Sequence, residues 1–413
     1  MKRISYAIVA AFLSFCSALG QETAGETALS CAQESSVAVD SVASTSWEDA
    51  LRAGMEQLLA ADMFATSQVG VMIYDLDADS VLFRRGEKQL LRPASTMKLV
   101  TAITALDRLG GGHQFLTELR YSGAIEGNVL RGDVYCVGGF DPRFNADDMR
   151  AFVESLRRHG IDTIRGALVA DKTMKNADRF GKGWCWDDDN PVLSPLLING
   201  EDSFVVRLRS EICDAGVVVE GAMEERAKPA TTFALCRRFH TIDQILMKMM
   251  KESDNLYAEA MLYQIAASTG KRCADASDAA AIISRLVAKV GLQASQYTFA
   301  DGSGLSLYDY VSAEMEVALL RYAYQNNNIY LHLLPSLPVA GVDGTLKGRM
   351  GGAFTGGNVR AKTGSVTGVS SLAGYCTAAN GHRIAFAIIN QGLPRLRPAR
   401  DFQDRVCSLI CRP

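Results

Sequence analysis

Apolar residues recur along this chain with two different periods, and the change from one to the other suggests how it is organised. Ser46 and Asp49 form a Ser-x-x-Asp cap ahead of Leu51, Met55, Leu58 and Leu59, which share one helix side. Two strand-like runs follow, VGVMIYDL (69–76) and SVLFRR (80–85), around the turn-forming DADS. Near the other end VSSLAGYC (369–376) and RIAFAIINQ (383–391) alternate in the same way around AANGH, and residues 401–410 return to a helical pattern. Between these ends the spacing predicts helices over 96–109, 241–267, 278–290 and 312–324. Strands at both ends with helices between them imply one antiparallel sheet assembled from the two termini.

Between Leu119 and Cys236 the texture shifts to short strands and turns, including LRYSGAIEGNVLRGDVYCVG and the strand-like FVVRLR. The predicted fold is therefore α+β. An antiparallel sheet flanked by helices is built from residues 46–118 and 237–413 and is interrupted by a mostly β inserted domain, 119–236. A chain of 413 residues is long enough for two such cores. Its 48% hydrophobic and 22% charged content is that of an ordinary globular protein.

The first twenty residues have a basic start (Lys2, Arg3), an apolar run from Ala7 to Leu19, and Ala18 and Gly20 at cleavage spacing, the pattern of a secretory signal peptide. Phe15 stands where a lipoprotein signal has a small residue before its cysteine, so Cys16 does not read as a lipid anchor. Residues 21–45, rich in Ser, Ala, Thr and Glu, read as a flexible linker. No other apolar run is long enough for a span, so no transmembrane anchor is expected, and the mature protein is expected outside the cytoplasm. Net charge falls from −3 to −5 once Lys2 and Arg3 leave with the signal, which argues against a nucleic-acid partner. Nine cysteines remain. They and the five scattered histidines lack metal-site spacing, so no metal is expected, and the cysteines read as small buried residues with one or two bridges among them.

Three short motifs carry chemistry. Ser95 and Lys98 lie in Pro-Ala-Ser-Thr-Met-Lys at a helix start, and positions i and i+3 share a helix face. A serine hydroxyl becomes a useful nucleophile when a neighbouring base, here a lysine whose pKa burial has lowered, takes its proton. Ser253, Asp254 and Asn255 precede a second helix. Lys362, Thr363, Gly364 and Ser365 open a strand, where the glycine would let ligand backbone lie close. Each motif alone is common, but Ser-x-x-Lys, Ser-Asp-Asn and Lys-Thr-Gly recur together in penicillin-binding proteins and class A β-lactamases. Here they stand in that order and in those settings.

With the longer strings LRPASTMKLVTA, KESDNLYAEA, FADGSGLSLYDYVS, GVDGTLKGRM and AKTGSVTGVSSLAGY, most of the chain resembles the class C low-molecular-weight penicillin-binding proteins, D-alanyl-D-alanine carboxypeptidases and endopeptidases. The resemblance implies a domain of the DD-peptidase and β-lactamase type and no cofactor. The implied partners are peptidoglycan peptides ending in D-Ala-D-Ala, or carrying D-amino-acid cross-links, and β-lactam antibiotics. It implies that Ser95 attacks the penultimate D-alanine carbonyl, Lys98 takes its proton and Ser253 relays a proton to the leaving group. Asn255 would bind the substrate amide, and Lys362 and Thr363 the terminal carboxylate. Backbone N–H groups of Ser95 and Ser365 would form the oxyanion hole. Asp188, in Gly-Trp-Cys-Trp-Asp-Asp, matches an acidic position near the site for the peptide's side-chain amine; a solvated loop anchored by two buried tryptophans is the other reading. One departure is that FVVRLR runs almost directly into EICDAGVVVEG, leaving no room for the further nested domain of many relatives. A serine β-lactamase and a wall-binding scaffold without catalysis are the alternative functions.

Overall fold

A computed structural model describes residues 46–412, so the signal segment 1–20 and the linker 21–45 lie outside the described residues. The side chain of Ser46 accepts from Asp49 N at 3.1 Å and caps helix α1 (Trp47–Leu59), which buries Leu51, Met55 and Leu58. The hairpin β1 (Gln68–Asp75) and β2 (Ser80–Arg85) follows, then α2 (Met97–Leu109). The middle of the chain runs β3 (Gln114–Tyr121), β4 (Ala124–Glu126), β5 (Val129–Arg131), β6 (Val134–Val137), α3 (Ala146–Arg158), β7 (Thr163–Ile164), β8 (Leu168–Asp171), α4 (Phe204–Asp214), β9 (Val218–Val219), β10 (Met223–Glu225) and β11 (Phe233–Thr241). Helices α5 (Ile242–Lys251), α6 (Asn255–Ala267), α7 (Ala276–Lys289), α8 (Ala313–Gln325) and α9 (Asn327–Ser336) come next, and β12 (Arg360–Val366), β13 (Val369–Thr377), β14 (Arg383–Gln391) and α10 (Arg397–Cys411) close the chain.

The two termini share a five-stranded antiparallel sheet in the order β12-β13-β14-β1-β2, with Val71 and Leu372 both opposite Ile388. Alternation sends successive side chains to opposite faces. Val71, Ile73, Leu372 and Phe386 pack with α1 and α10, while Met72, Ala373, Ala385 and Ile389 pack with the helical core that contains α2, α5, α6 and α8. Coverage on both faces is why β13 and β14 are buried almost end to end rather than on alternate residues.

Two further sheets, β10-β8-β6-β3-β11 and β4-β5-β7-β9, share a separate core that includes Leu119, Phe144, Phe152, Leu168, Phe204 and Leu208. This region is mixed rather than mostly β. FVVRLR is the start of α4 and not a strand, because its buried residues are Phe204, Leu208 and Ile212, four apart; the adjacent Val205 and Val206 imitate a strand locally. The predicted helix over 241–267 is also two helices, broken at Glu252–Asp254, where Asp254 caps α6 by accepting from Tyr257 N at 3.1 Å. Helix α10 begins at Arg397, four residues earlier than its apolar pattern shows, since Pro398 is compatible with a first turn.

Candidate active site

The site lies where the start of α2, the α5–α6 break and β12 meet. Residues Ala94–Thr96 form a tight 3₁₀ turn leading into α2. Buried Thr96 donates through Oγ1 to Pro93 O at 2.8 Å, and Ser371 Oγ on β13 donates to the same carbonyl at 2.5 Å, which ties the turn to the sheet. Two non-glycine residues here have left-handed backbone, Ala94 at φ 48° and Ser253 at φ 60°. Such residues cost on the order of 1–3 kcal/mol each and persist where the surroundings fix them.

Lys98 is fully buried one helical turn past Ser95. Its Nζ lies 3.0 Å from Ser95 Oγ, 2.7 Å from Asn255 Oδ1 and 2.9 Å from the Ser303 carbonyl. Burial lowers its pKa to about 8, opposed by the charges of Asp301, Glu259 and Asp254. A neutral amine has two N–H bonds and one lone pair. With both N–H groups satisfied by Asn255 and Ser303, the lone pair is left for the Ser95 hydroxyl.

The Ser303 carbonyl is held in place by Asp301. The Asp301 carboxylate accepts from Ser303 N at 3.0 Å, Gly304 N at 2.6 Å and Ser306 N at 2.7 Å, and from Trp184 Nε1 at 2.8 Å. Neighbouring carboxyls are pushed towards the neutral form: burial and Asp301 raise Glu259 to about 8 and lift Asp309 well above the carboxylate range.

Lys362 is also fully buried, with Nζ donating to Ser253 Oγ at 2.8 Å and to the Thr363 carbonyl at 2.7 Å. Burial and the nearby Lys98 hold it well below the ordinary lysine range. It therefore touches Ser253, which lines the cleft, and is not itself among the lining residues. The Thr363 hydroxyl does face the cleft and donates to Thr345 Oγ1 at 2.8 Å. Gly364 brings β12 against the nucleophile turn: a Cβ there would lie 2.0 Å from Ser371 Oγ, 2.7 Å from Pro93 O and 3.0 Å from Ser95 N. Ser365 is exposed at the rim.

Ser95, Ser253, Thr363 and Ser365 open onto one cleft of about 280 Å³, which Thr345, Arg349 and Arg400 complete. Neither arginine stands at a recognisable spacing from the three motifs. Arg349 does fall within GVDGTLKGRM, but Arg400 carries no local signal. Asp188 is not among the lining residues; it is exposed, and its Oδ2 accepts from Cys185 N at 3.3 Å. Of the two tryptophans expected to anchor that loop, Trp184 is half-buried against Asp301 and Trp186 is 93% exposed.

Among the described residues no group of three or more His, Cys, Asp or Glu is placed to hold a metal ion, and no helix is long and apolar enough to cross a membrane. Their eight cysteines are free thiols, four of them buried, without the one or two bridges anticipated.

Comparison with known proteins gives the same fold and one family. The model of the D-Ala-D-Ala carboxypeptidase 3 (S13) family matches residues 51–200 and 198–407. The D-alanyl-D-alanine carboxypeptidase DacB of Haemophilus influenzae is 26% identical over 406 residues, covering 78% of this chain and 84% of that protein. Among solved structures, penicillin binding protein 4 (dacB) from the same organism superposes with a TM-score of 0.79 at 22% identity, over 88% of this chain and 99% of that one. The structure of that protein complexed with a β-lactam gives 0.73, with the same identity and coverage.

Proposed function

The chain belongs to the D-Ala-D-Ala carboxypeptidase 3 (S13) family, and we propose that it cleaves D-alanyl-D-alanine bonds in peptidoglycan peptides through an acyl-enzyme on Ser95. The observation that carries this reading is the buried Lys98 amine, 3.0 Å from Ser95 Oγ and anchored by Asn255 and Ser303.

Neutral Lys98 takes the Ser95 proton as Oγ attacks the carbonyl carbon. The oxyanion forms against the backbone N–H groups of Ser95 and Ser365, where one lost donor costs on the order of 3 kcal/mol. Ser253, held through its oxygen by Lys362 Nζ, turns its own hydroxyl towards the leaving nitrogen and passes the proton on. Asn255 has its carbonyl oxygen on Lys98, which leaves its NH₂ for the substrate's acyl-side amide. Thr363 contacts the leaving residue. Water then enters, Lys98 again serves as base, and the acyl group is released. β-Lactams acylate the same serine and block this second step.

We also read residues 119–236 as an inserted domain, supported by their separate core, and residues 1–20 as a cleaved export signal, supported by their basic, apolar and small-residue sections. A wall substrate agrees with export.

Incubation with purified muropeptides and mass spectrometry tests the activity. Uncross-linked pentapeptides are expected to lose one alanine with wild type and to stay intact with Ser95→Ala. Intact pentapeptides and cross-linked dimers after prolonged incubation with wild type would contradict it.

A further inference from the structure

A buried oxygen close to the base has no donor to meet. It belongs to Asp309, which is fully buried in the segment between α7 and α8. Asp309 Oδ1 accepts from Ala300 N at 2.6 Å and, less closely, from Asp301 N at 3.4 Å. Its Oδ2 is sealed from solvent, and no donor among the described residues reaches it. What lies beside it is a second acid, Asp301, whose carboxyl is a hydrogen-bond partner and whose charge acts on Asp309. Two buried carboxyls this close do not both ionise, because each would lose its hydration and face a like charge.

The donors around the pair decide which of the two keeps a proton. Asp301 accepts from the N–H groups of Ser303, Gly304 and Ser306, from the Ser303 hydroxyl at 3.2 Å and from the Trp184 indole, a set that favours a carboxylate. Asp309 has donors on Oδ1 alone. A protonated carboxyl carries an O–H donor, and placed on Oδ2 it gives the orphaned oxygen a partner in the Asp301 carboxylate.

Asp301 in turn governs the base. It holds the Ser303 segment whose carbonyl accepts from Lys98 Nζ at 2.9 Å. Burial lowers the Lys98 pKa, and the Asp301 charge is the largest influence opposing it. The other carboxyl facing this group is Glu259 on α6, which accepts from Gly302 N at 3.0 Å and is raised to about 8 by burial and by Asp301. A further negative charge at position 309 would favour the Lys98 ammonium and starve the site of free amine.

We propose that Asp309 is a positioning residue: as a neutral acid it donates from Oδ2 to the Asp301 carboxylate, fixing the Ser303 carbonyl that orients Lys98 without adding a second charge near the base. The inference rests on the acyl-transfer reading above, with Lys98 as base, and deepens it.

The test is the rate of acylation by benzylpenicillin against pH, read by intact-protein mass spectrometry, for wild type, Asp309→Ala, Asp309→Asn and Asp301→Asn. Asp309→Ala removes the donor and is expected to slow acylation by about 10- to 100-fold, the scale of a small misplacement near the reacting groups. An asparagine side chain offers an N–H donor and a carbonyl acceptor in place of the O–H and Oδ1. Asp309→Asn is therefore expected to recover most of that loss, with the acidic limb of the profile where wild type has it. Asp301→Asn removes the charge that props up Lys98, and its limb is expected about one unit lower in pH. Were Asp309 ionised, Asp309→Asn would take a negative charge from the pair and carry the limb to lower pH, which would overturn the proposal. Asp309→Ala at the wild-type rate, Asp309→Asn as slow as Asp309→Ala, or an unmoved limb in Asp301→Asn would overturn it too. If Asp309→Ala does not fold, the limb of Asp309→Asn still decides. Wild type that is acylated but shows no acidic limb would overturn Lys98 as base and this role with it, whereas wild type never acylated would overturn the proposed function itself.

Discussion

A lysine three residues after a serine would ordinarily be protonated at neutral pH and useless as a base, yet at position 98 burial takes the amine to about 8, so roughly one molecule in ten is neutral at pH 7. The ammonium form is inactive, so activity is lost as pH falls through the folded-state pKa. The acylation rate by benzylpenicillin is expected to rise nearly tenfold per unit between pH 6 and 7 and to level off above about 8. Asn255→Asp puts a carboxylate 2.7 Å from Nζ and is expected to move that limb to higher pH by about one unit or more. A profile flat from pH 6 to 8 would show that Lys98 is not the group titrating. At this scale the sequence was informative for Ser95, Lys98, Ser253, Asn255 and Thr363, because each sits at a fixed offset within a motif. It did not show that Lys362 touches Ser253, a contact that depends on how β12 meets the α5–α6 break. It was silent on Arg400, which reaches the cleft only through the packing of α10.

Three elements have to meet for these side chains to touch, and β12 passes close against the nucleophile turn. Gly364 pairs with Ser371, and its missing Cβ makes room for Ser371 Oγ, Pro93 O and Ser95 N. Gly364→Ala forces the strand away from the backbone N–H of Ser95, the donor assigned to the oxyanion. A misplacement of this kind costs about 100-fold or more in acylation. Because β12 is an edge strand, circular dichroism of the variant is expected to match wild type. Acylation at the wild-type rate would show that this contact is dispensable. Element identity was legible wherever one period ran for a full element, as in α1, β1 and α8. It failed at FVVRLR, where a pair of valines outweighed the four-residue spacing of Phe204, Leu208 and Ile212, and at 241–267, where the Ser253 turn interrupts an otherwise continuous helical pattern.

Across the whole molecule, strands from the first and last quarters of the chain build one sheet, and that sheet carries β12 to a serine nearly 270 positions earlier in the sequence. The joining of the termini was legible because alternating apolar runs flank a helical middle. The buried acids were not. Glu259 and Glu316 lie in helices where a glutamate ordinarily marks the solvent side, yet both are fully buried and pushed up to about 8, by burial for Glu316 and by burial with Asp301 for Glu259. Their surroundings come from helices packed around α2, which no local period reveals. Everything this architecture assembles converges on one oxygen atom, so the most direct measurement is intact-protein mass spectrometry after incubation with benzylpenicillin, followed by mapping of the modified peptide. A single long-lived penicilloyl group is expected on Ser95, and none on Ser95→Ala. An unmodified wild-type protein, rapid turnover of the penicillin without a persistent adduct, or an adduct on another residue would contradict it.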